Sequence, residues 1–273
     1  INEGQALYRD IAYFNGPLSP YINAAFFRLF GVSLRTLVLS NLVILALILF
    51  LLYRLLESIS GWIAATAAGL AFVSVFAFGQ LVQVGNYNYV CPYSHEFTHG
   101  ILLTLLALFC LHYYHRSNHP AWCALSGLLP GLVFLTKAEI FLAAAAAVFC
   151  GLAVVFALEK PGLKRGLLHG AIFIAAFAAP VVTSLVFLSG HMPFKQALLG
   201  TLGTWPYILD GRIAKMHFYQ WQTGMLAPGL ALWILFKWAL GYAAVFGLAA
   251  TAALLISRRT RQFQQWAAGL LAA

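Results

Sequence analysis

Charge is what this sequence has least of. Asp, Glu, Lys and Arg make up 8% of its 273 residues, against about 25% in an ordinary soluble domain, while 62% are hydrophobic. That balance excludes a water-solvated surface over most of the chain and assigns it to a bilayer. Acids are scarcer than bases, seven against sixteen, for a formal net charge of +9. The bases stand as ones and twos between apolar runs, with no basic face or tract, which excludes a nucleic-acid partner and suits loops that set membrane topology. Cysteine is also sparse: Cys91, Cys110, Cys123 and Cys150 have neither a disulfide framework nor zinc-knuckle spacing. No internal repeat or low-complexity tract stands out. The chain starts without Met at Ile1 in a polar stretch and stops at Ala273 in an apolar one, so the expectation is a fragment of a larger membrane protein.

What is present is a series of runs near the 20 apolar residues that a membrane helix requires. The expected spans are 35–56, 61–84, 97–115, 120–136, 138–158, 166–188 and 236–257, with an eighth beginning near Phe263. The expected fold is therefore all-α, a multi-pass transmembrane bundle in one domain. Connections near 57–60, 116–119, 159–165 and 258–262 carry Arg116, Lys160, Lys164, Arg165, Arg258, Arg259 and Arg261, and short Lys/Arg-rich loops stay cytoplasmic. Parity then puts 1–34, 85–96, the 136–138 turn and a long 189–235 loop on the extracytoplasmic side. Glu3, Asp10, Glu96, Glu139 and Asp210 thereby gather on one face with Lys137. Ionisable groups at membrane depth are costly and tend to mark sites or pathways. Ser19 to Phe30, SPYINAAFFRLF, reads as an interfacial helix with Pro20 in its first turn and Gly31 as its stop. Gly127 and Gly131 frame a small-residue spacing suited to close helix packing.

One motif raises a different chemistry. His95-Glu96-Phe97-Thr98-His99 spells H-E-x-x-H, which on a helix places two imidazoles on one face as zinc ligands with the Glu as general base. Leu209-Asp210-Gly211 offers a third ligand of the kind intramembrane zinc proteases use. Against that reading, the motif follows the polar, Pro-containing loop GNYNYVCPYS and so opens a helix at the interface, and Asp210 lies in a polar segment that cannot span. The bland alternative for His95 and His99 is an interfacial pair at a helix start, where Glu96 suits the helix dipole in any case. A transporter or lipid flippase, with charges lining a path, is the remaining alternative.

Tyr8-Arg9-Asp10-Ile11, then Phe14-Asn15-Gly16-Pro17-Leu18-Ser19-Pro20-Tyr21, then Leu29-Phe30-Gly31 together resemble the first extracytoplasmic loop of GT-C type membrane glycosyltransferases. The closest groups are the protein O-mannosyltransferases and the bacterial lipid A aminoarabinose transferases. PYSHEFTHGILLTLLAL looks like that family's acid at the outer start of a span, and GLLPGLVFLTKAEIFLA resembles its turn between two spans. The resemblance covers most of residues 1–160. It implies sugar transfer from a polyprenyl-phosphate carrier to a lipid, glycan or protein acceptor, at a site facing outward from a bacterial cytoplasmic membrane. A carboxylate must take the acceptor's proton, and cations must stabilise charge on the departing phosphate. Lys137 is the first phosphate candidate, with Arg9 and Arg212 behind it. Glu96 and Asp10 are supporting catalytic acids, and Tyr8, His95, His99 and Glu139 support them. A divalent cation, held by Glu96 with His95 or His99, is a further candidate. The resemblance places the main base upstream of Ile1, so this fragment alone is expected to be inactive. Asn15-Gly16 stands where relatives often carry a basic residue before the proline box.

Overall fold

The computed structural model describes residues 1, 3–78, 88–92, 94–211 and 215–271. It is all-α, and five of its helices are long and apolar enough to cross a membrane among the described residues. The chain divides into two compact units, Ile1–Leu209 and Asp210–Ala273.

In the first unit the proline-box region leads into α1 (Leu18–Phe30). Gly31 ends it at φ 84°, a left-handed conformation that glycine reaches without a Cβ penalty. The exposed Leu29 and Phe30 suit an interfacial helix. Ser33 then starts α2 (Leu34–Ala71) by accepting the Thr36 N–H at 3.1 Å. This element turns sharply at Gly61, φ 81° and ψ 172°. Its arms pack on each other: a Cβ on Gly69 would stand 3.4 Å from the Leu49 side chain, and Ile44, Leu45 and Ile48 cluster with Ala77 and Phe72. The two spans expected at 35–56 and 61–84 are thus the arms of one hairpin, continued by a π-helical segment, Phe72–Ala77; residues 79–84 lie outside the described residues.

α3 (His95–Ser117) packs its Ile101, Leu102 and Leu105 against that hairpin. α4 (Pro120–Phe134) is short and carries Pro130, yet it fits tightly on α6 (Leu163–Ser189). Gly127 and Gly131 meet the backbone oxygens of Phe173 and Phe177 directly, with no room for a Cβ, so the small-residue spacing sets the closeness of this pair. α5 (Ala138–Glu159) completes the group, and Ala107, Tyr114, Cys123, Val148 and Phe173 share its core.

The expected loop 189–235 is partly helical. It holds α7 (Phe194–Leu202) in the first unit, α8 (Trp205–Asp210) ending at the boundary, and α9 (His217–Gln222) in the second. In the second unit α10 runs Pro228–Leu271, so it starts earlier than the expected span and crosses the expected connection at 258–262. Pro suits a first helical turn, and charges alone, with no Gly or Pro among Arg258 to Arg261, do not stop a helix.

Candidate functional site

The proline box docks on the α4–α5 turn through its backbone. Gly16 N–H donates to Thr136 O at 2.8 Å and Leu18 N–H to Leu135 O at 3.0 Å. Gly16 lies directly on the Leu135 backbone, where a Cβ would collide. This contact accounts for Asn15-Gly16 in place of a basic residue: position 16 is occupied by main-chain packing, which any side chain would break. Thr136 caps its own turn, its hydroxyl donating to Val133 O at 2.6 Å, and Lys137 follows in extended backbone as the N-cap of α5.

α3 meets the same turn from the other side. A Cβ on Gly100 would stand 2.8 Å from the Ile140 side chain and 3.1 Å from the Thr136 hydroxyl, so the helix start is held close to Lys137. Glu96, one turn earlier and 7% exposed, interacts electrostatically with the Lys137 ammonium. Ser94 directs its hydroxyl to Glu96 Oε2 at 2.7 Å instead of capping the helix backbone. Glu139 Oε1 lies 3.9 Å from Lys137 Nζ, and its own side chain is mostly exposed.

Tyr8 comes to this acid from the first loop. Its backbone takes φ 69°, unusual for a bulky residue and sustained only where surrounding contacts impose it. Those contacts are Tyr8 N–H to Ile11 O at 2.9 Å, Tyr8 hydroxyl to Asn15 O at 2.5 Å, and Gln196 Nε2 to Tyr8 O at 2.7 Å. Burial drives the phenol far above its ordinary range, with Tyr21 and the Glu96 carboxylate adding to the effect. Tyr8 therefore stays protonated beside Glu96 at any working pH.

Arg9 and Asp10 serve the loop itself. Arg9 pairs with Asp10 at 2.7 Å and donates to His191 O at 3.1 Å, while Asp10 Oδ2 accepts the Ala6 N–H at 2.8 Å. These hydrogen bonds, from Arg9 first and then from Ala6, hold the Asp10 carboxyl down to about 2. Arg212 lies outside the described residues.

His95 and His99 share a face of α3, ring centroids 6.3 Å apart. His99 is 3% exposed, and among the described residues neither of its nitrogens, nor Nδ1 of His95, has a hydrogen-bond partner. Among the described residues no group of three His, Cys, Asp or Glu comes together to hold a metal. The zinc-protease reading needs Asp210 as third ligand, and that side chain is outside the described residues. The described donor set is two imidazoles, which is short of a zinc centre.

Beside the docked proline box lies an apolar groove of about 520 Å³ between α1, α4 and α6, lined by Leu18, Tyr21, Leu132, Leu135, Pro180 and Phe187 among others. Its Leu18–Leu135 edge is the edge that carries Lys137 two residues on.

A buried acid within electrostatic reach of a lysine that follows the docked proline-box turn, near an apolar groove, agrees with the comparison to known families. The model of the dolichyl-phosphate-mannose-protein mannosyltransferase family matches residues 15–184. The chain belongs to that family. It is an integral, multi-pass membrane glycosyltransferase of the GT-C type, and family membership implies a polyprenyl-phosphate sugar donor and an acceptor. No curated protein and no solved structure matches it. The matched stretch runs from the proline box through α6, and so includes Glu96 and Lys137. Sequence reasoning named Tyr8, Glu96 and Lys137; it missed Ser94, Thr136 and Gln196, small or neutral residues whose roles come from hydrogen bonds that no motif announces.

Proposed function

We propose that this glycosyltransferase moves a hexosyl or pentosyl unit from a polyprenyl-phosphate donor to an acceptor nucleophile at the extracytoplasmic face of a bacterial cytoplasmic membrane. The observation that carries the reading is the convergence of Glu96, Lys137 and Tyr8 beneath the docked proline box, at the edge of the apolar groove. The groove suits an isoprenoid chain, and Lys137, at the head of α5, meets a phosphate where such a chain would end. In the reaction the bond between the anomeric carbon and the phosphate oxygen breaks as the acceptor's oxygen or nitrogen bonds to that carbon from the opposite face. The phosphate leaves with the electron pair, and the Lys137 charge stabilises it where water is scarce. The acceptor's proton passes to a carboxylate base, and Glu96, oriented by Ser94, is the supporting acid that orients the acceptor group for that transfer. Arg9 and Arg212 are secondary phosphate residues, Asp10 holds Arg9 in the loop, Glu139 positions Lys137, and His95 and His99 line the inner side of the α3 start. The whole chain forms one GT-C domain, with 1–34 belonging to its first outer loop and 189–235 to a long outer loop.

The test is transfer from radiolabelled polyprenyl-phosphate mannose by the full-length protein in its membrane. Lys137→Ala is expected to cut kcat/KM for the donor by about 100-fold, in the range for losing one preorganised charge-stabilising group, with partial recovery in Lys137→Arg. Glu96→Gln is expected to lower kcat with little change in donor KM. Wild-type transfer by both variants would sink the assignment.

A further inference from the structure

A second opening lies where the first loop meets α7 and the α7–α8 turn. It measures about 280 Å³ and is lined by Tyr8, Tyr13, Tyr207, Gln196 and the glycines Gly200 and Gly203. That is near the lower end of the about 300–1,000 Å³ typical of small-molecule pockets, enough for one ring. Two features of the fold keep it open and rigid. Gly200 lets α7 press against Tyr8, since a Cβ there would stand 2.6 Å from the ring. Gly203, at φ 57°, lets the α7–α8 turn pack on the first loop, since a Cβ there would stand 2.8 Å from Gly16 N. Gln196 is committed to the Tyr8 carbonyl, so the wall of the opening and the left-handed backbone of Tyr8 are secured together.

The surface of this opening has a definite chemistry. No charged side chain is among the described residues that line it. Three phenols surround it; Tyr8 and Tyr13 lie 6.2 Å apart and tilted by 53°, and Tyr207 is braced by Phe14 at 4.9 Å. Aromatic faces present a flat apolar surface, and phenol groups add hydrogen-bonding tips to the same residues. A neutral sugar ring has the matching pattern, with C–H faces on one side and hydroxyls around the edge. A peptide would use backbone partners along an extended groove, and an anionic headgroup would call for cations; neither is provided here. The Gly203 turn that closes the opening packs on Gly16, whose N–H donates to Thr136 O beside Lys137, so a ring seated in the opening lies on the same loop that docks at the transfer site.

We propose that this crevice is the acceptor subsite and that it takes a neutral sugar ring, making the acceptor a glycan or glycolipid. The assignment rests on the transfer reaction proposed above and specifies its acceptor.

The test measures binding without turnover, so that it can fail independently of the transfer assay. Full-length protein in nanodiscs, with no donor present, is titrated with a neutral trisaccharide panel and, separately, with an uncharged Ser/Thr-containing peptide, using saturation-transfer NMR and calorimetry. The expected result is saturable trisaccharide binding that weakens about tenfold in Tyr207→Ala and in Tyr13→Ala, the size of a lost aromatic face. Tyr207→Phe is expected to restore most of it. Free trisaccharide and a trisaccharide glycolipid are then compared; binding of both identifies the ring as the recognised part, and binding of the glycolipid alone, if lost in Tyr207→Ala, assigns the subsite to a lipid-borne sugar. Peptide binding without trisaccharide binding, saccharide binding indifferent to Tyr13 and Tyr207, or no binding of any saccharide would overturn the proposal while leaving the transfer assay to stand or fall by itself.

Discussion

The two ends of the helix bundle treat their polar residues differently. At the end away from the proline box, Tyr114 hydroxyl and His169 Nδ1 meet at 2.6 Å inside the core, and Cys123 donates to His169 O at 3.3 Å. At the rim of the same end Glu159 accepts from Asn118 at 2.9 Å and Arg165 donates to Asn118 O at 3.2 Å, while His115 Nδ1 lies 3.0 Å from Glu159 Oε1 without hydrogen-bond geometry. These contacts join α3, α5 and α6 to one another. In the half of the bundle that holds the proline box, by contrast, Ser19 and His99 are buried with side-chain atoms that find no partner among the described residues. Polar groups that satisfy one another fasten helices; buried groups left unsatisfied carry an energetic cost and so point to an occupant other than protein. The comparison separates a clamp from a site.

The strongest way to break it is to remove the site's charges. Lys137→Ala should lower transfer by about two orders of magnitude with the helical circular dichroism and thermal midpoint close to wild type; a variant that unfolds instead would make Lys137 part of the clamp. Next is Gly16→Ala, which forces a Cβ into the Leu135 backbone. Overpacking of this kind costs about 1–3 kcal/mol, and the loss should appear in both thermal midpoint and transfer, because the proline box and the Lys137 turn move together. Tyr114→Phe sharpens the other side of the comparison. It strands the buried His169 nitrogen, a cost of about 1–3 kcal/mol, and should lower the thermal midpoint while leaving transfer per folded molecule unchanged. Glu159→Gln, at the partly exposed rim, should cost no more than about 1 kcal/mol, since exposed pairs are screened.

The smallest effect concerns pH at the first loop. The Asp10 carboxyl is depressed to about 2, so its ionised form, and with it the Arg9 and Ala6 contacts, contributes stability that is complete above the carboxyl's ordinary value of 3.8. That contribution is lost as pH falls from there through 2. Amide hydrogen exchange at Ala6 should accelerate over that interval, and Asp10→Asn should remove the pH dependence.

Much of the fold was legible because apolar length is a direct reading of bilayer thickness. The spans at 97–115, 138–158 and 166–188 correspond to α3, α5 and α6, and Gly61 turns the long first helix back where a connection was expected. The end of α1 was legible for the same local reason: Gly31 adopts a backbone conformation that most residues resist. The start of α10 at Pro228 and its passage through Arg258 to Arg261 were not legible, because hydropathy marks where a helix leaves the apolar layer and is silent on whether it continues as a helix beyond. In the candidate site, Glu96 and Lys137 could be named from their position at span ends. H-E-x-x-H was the more conspicuous signal and the less informative one, since metal binding needs a third ligand brought from elsewhere.

The order of residues alone settled that this protein lives in a membrane, that it is helical, and that a few ionisable groups gather near one set of helix ends. Composition and periodicity are local properties, and burial in lipid rewards them residue by residue. Which groups meet was decided only by tertiary structure. The Glu96 end of α3 comes close to the Lys137 turn because Gly100 admits Thr136 and Ile140. Tyr8 walls the small crevice because Gly200 and Gln196 arrive from far along the chain. Contacts across such separations depend on shape and close packing in three dimensions, and those are properties of the whole assembly of helices.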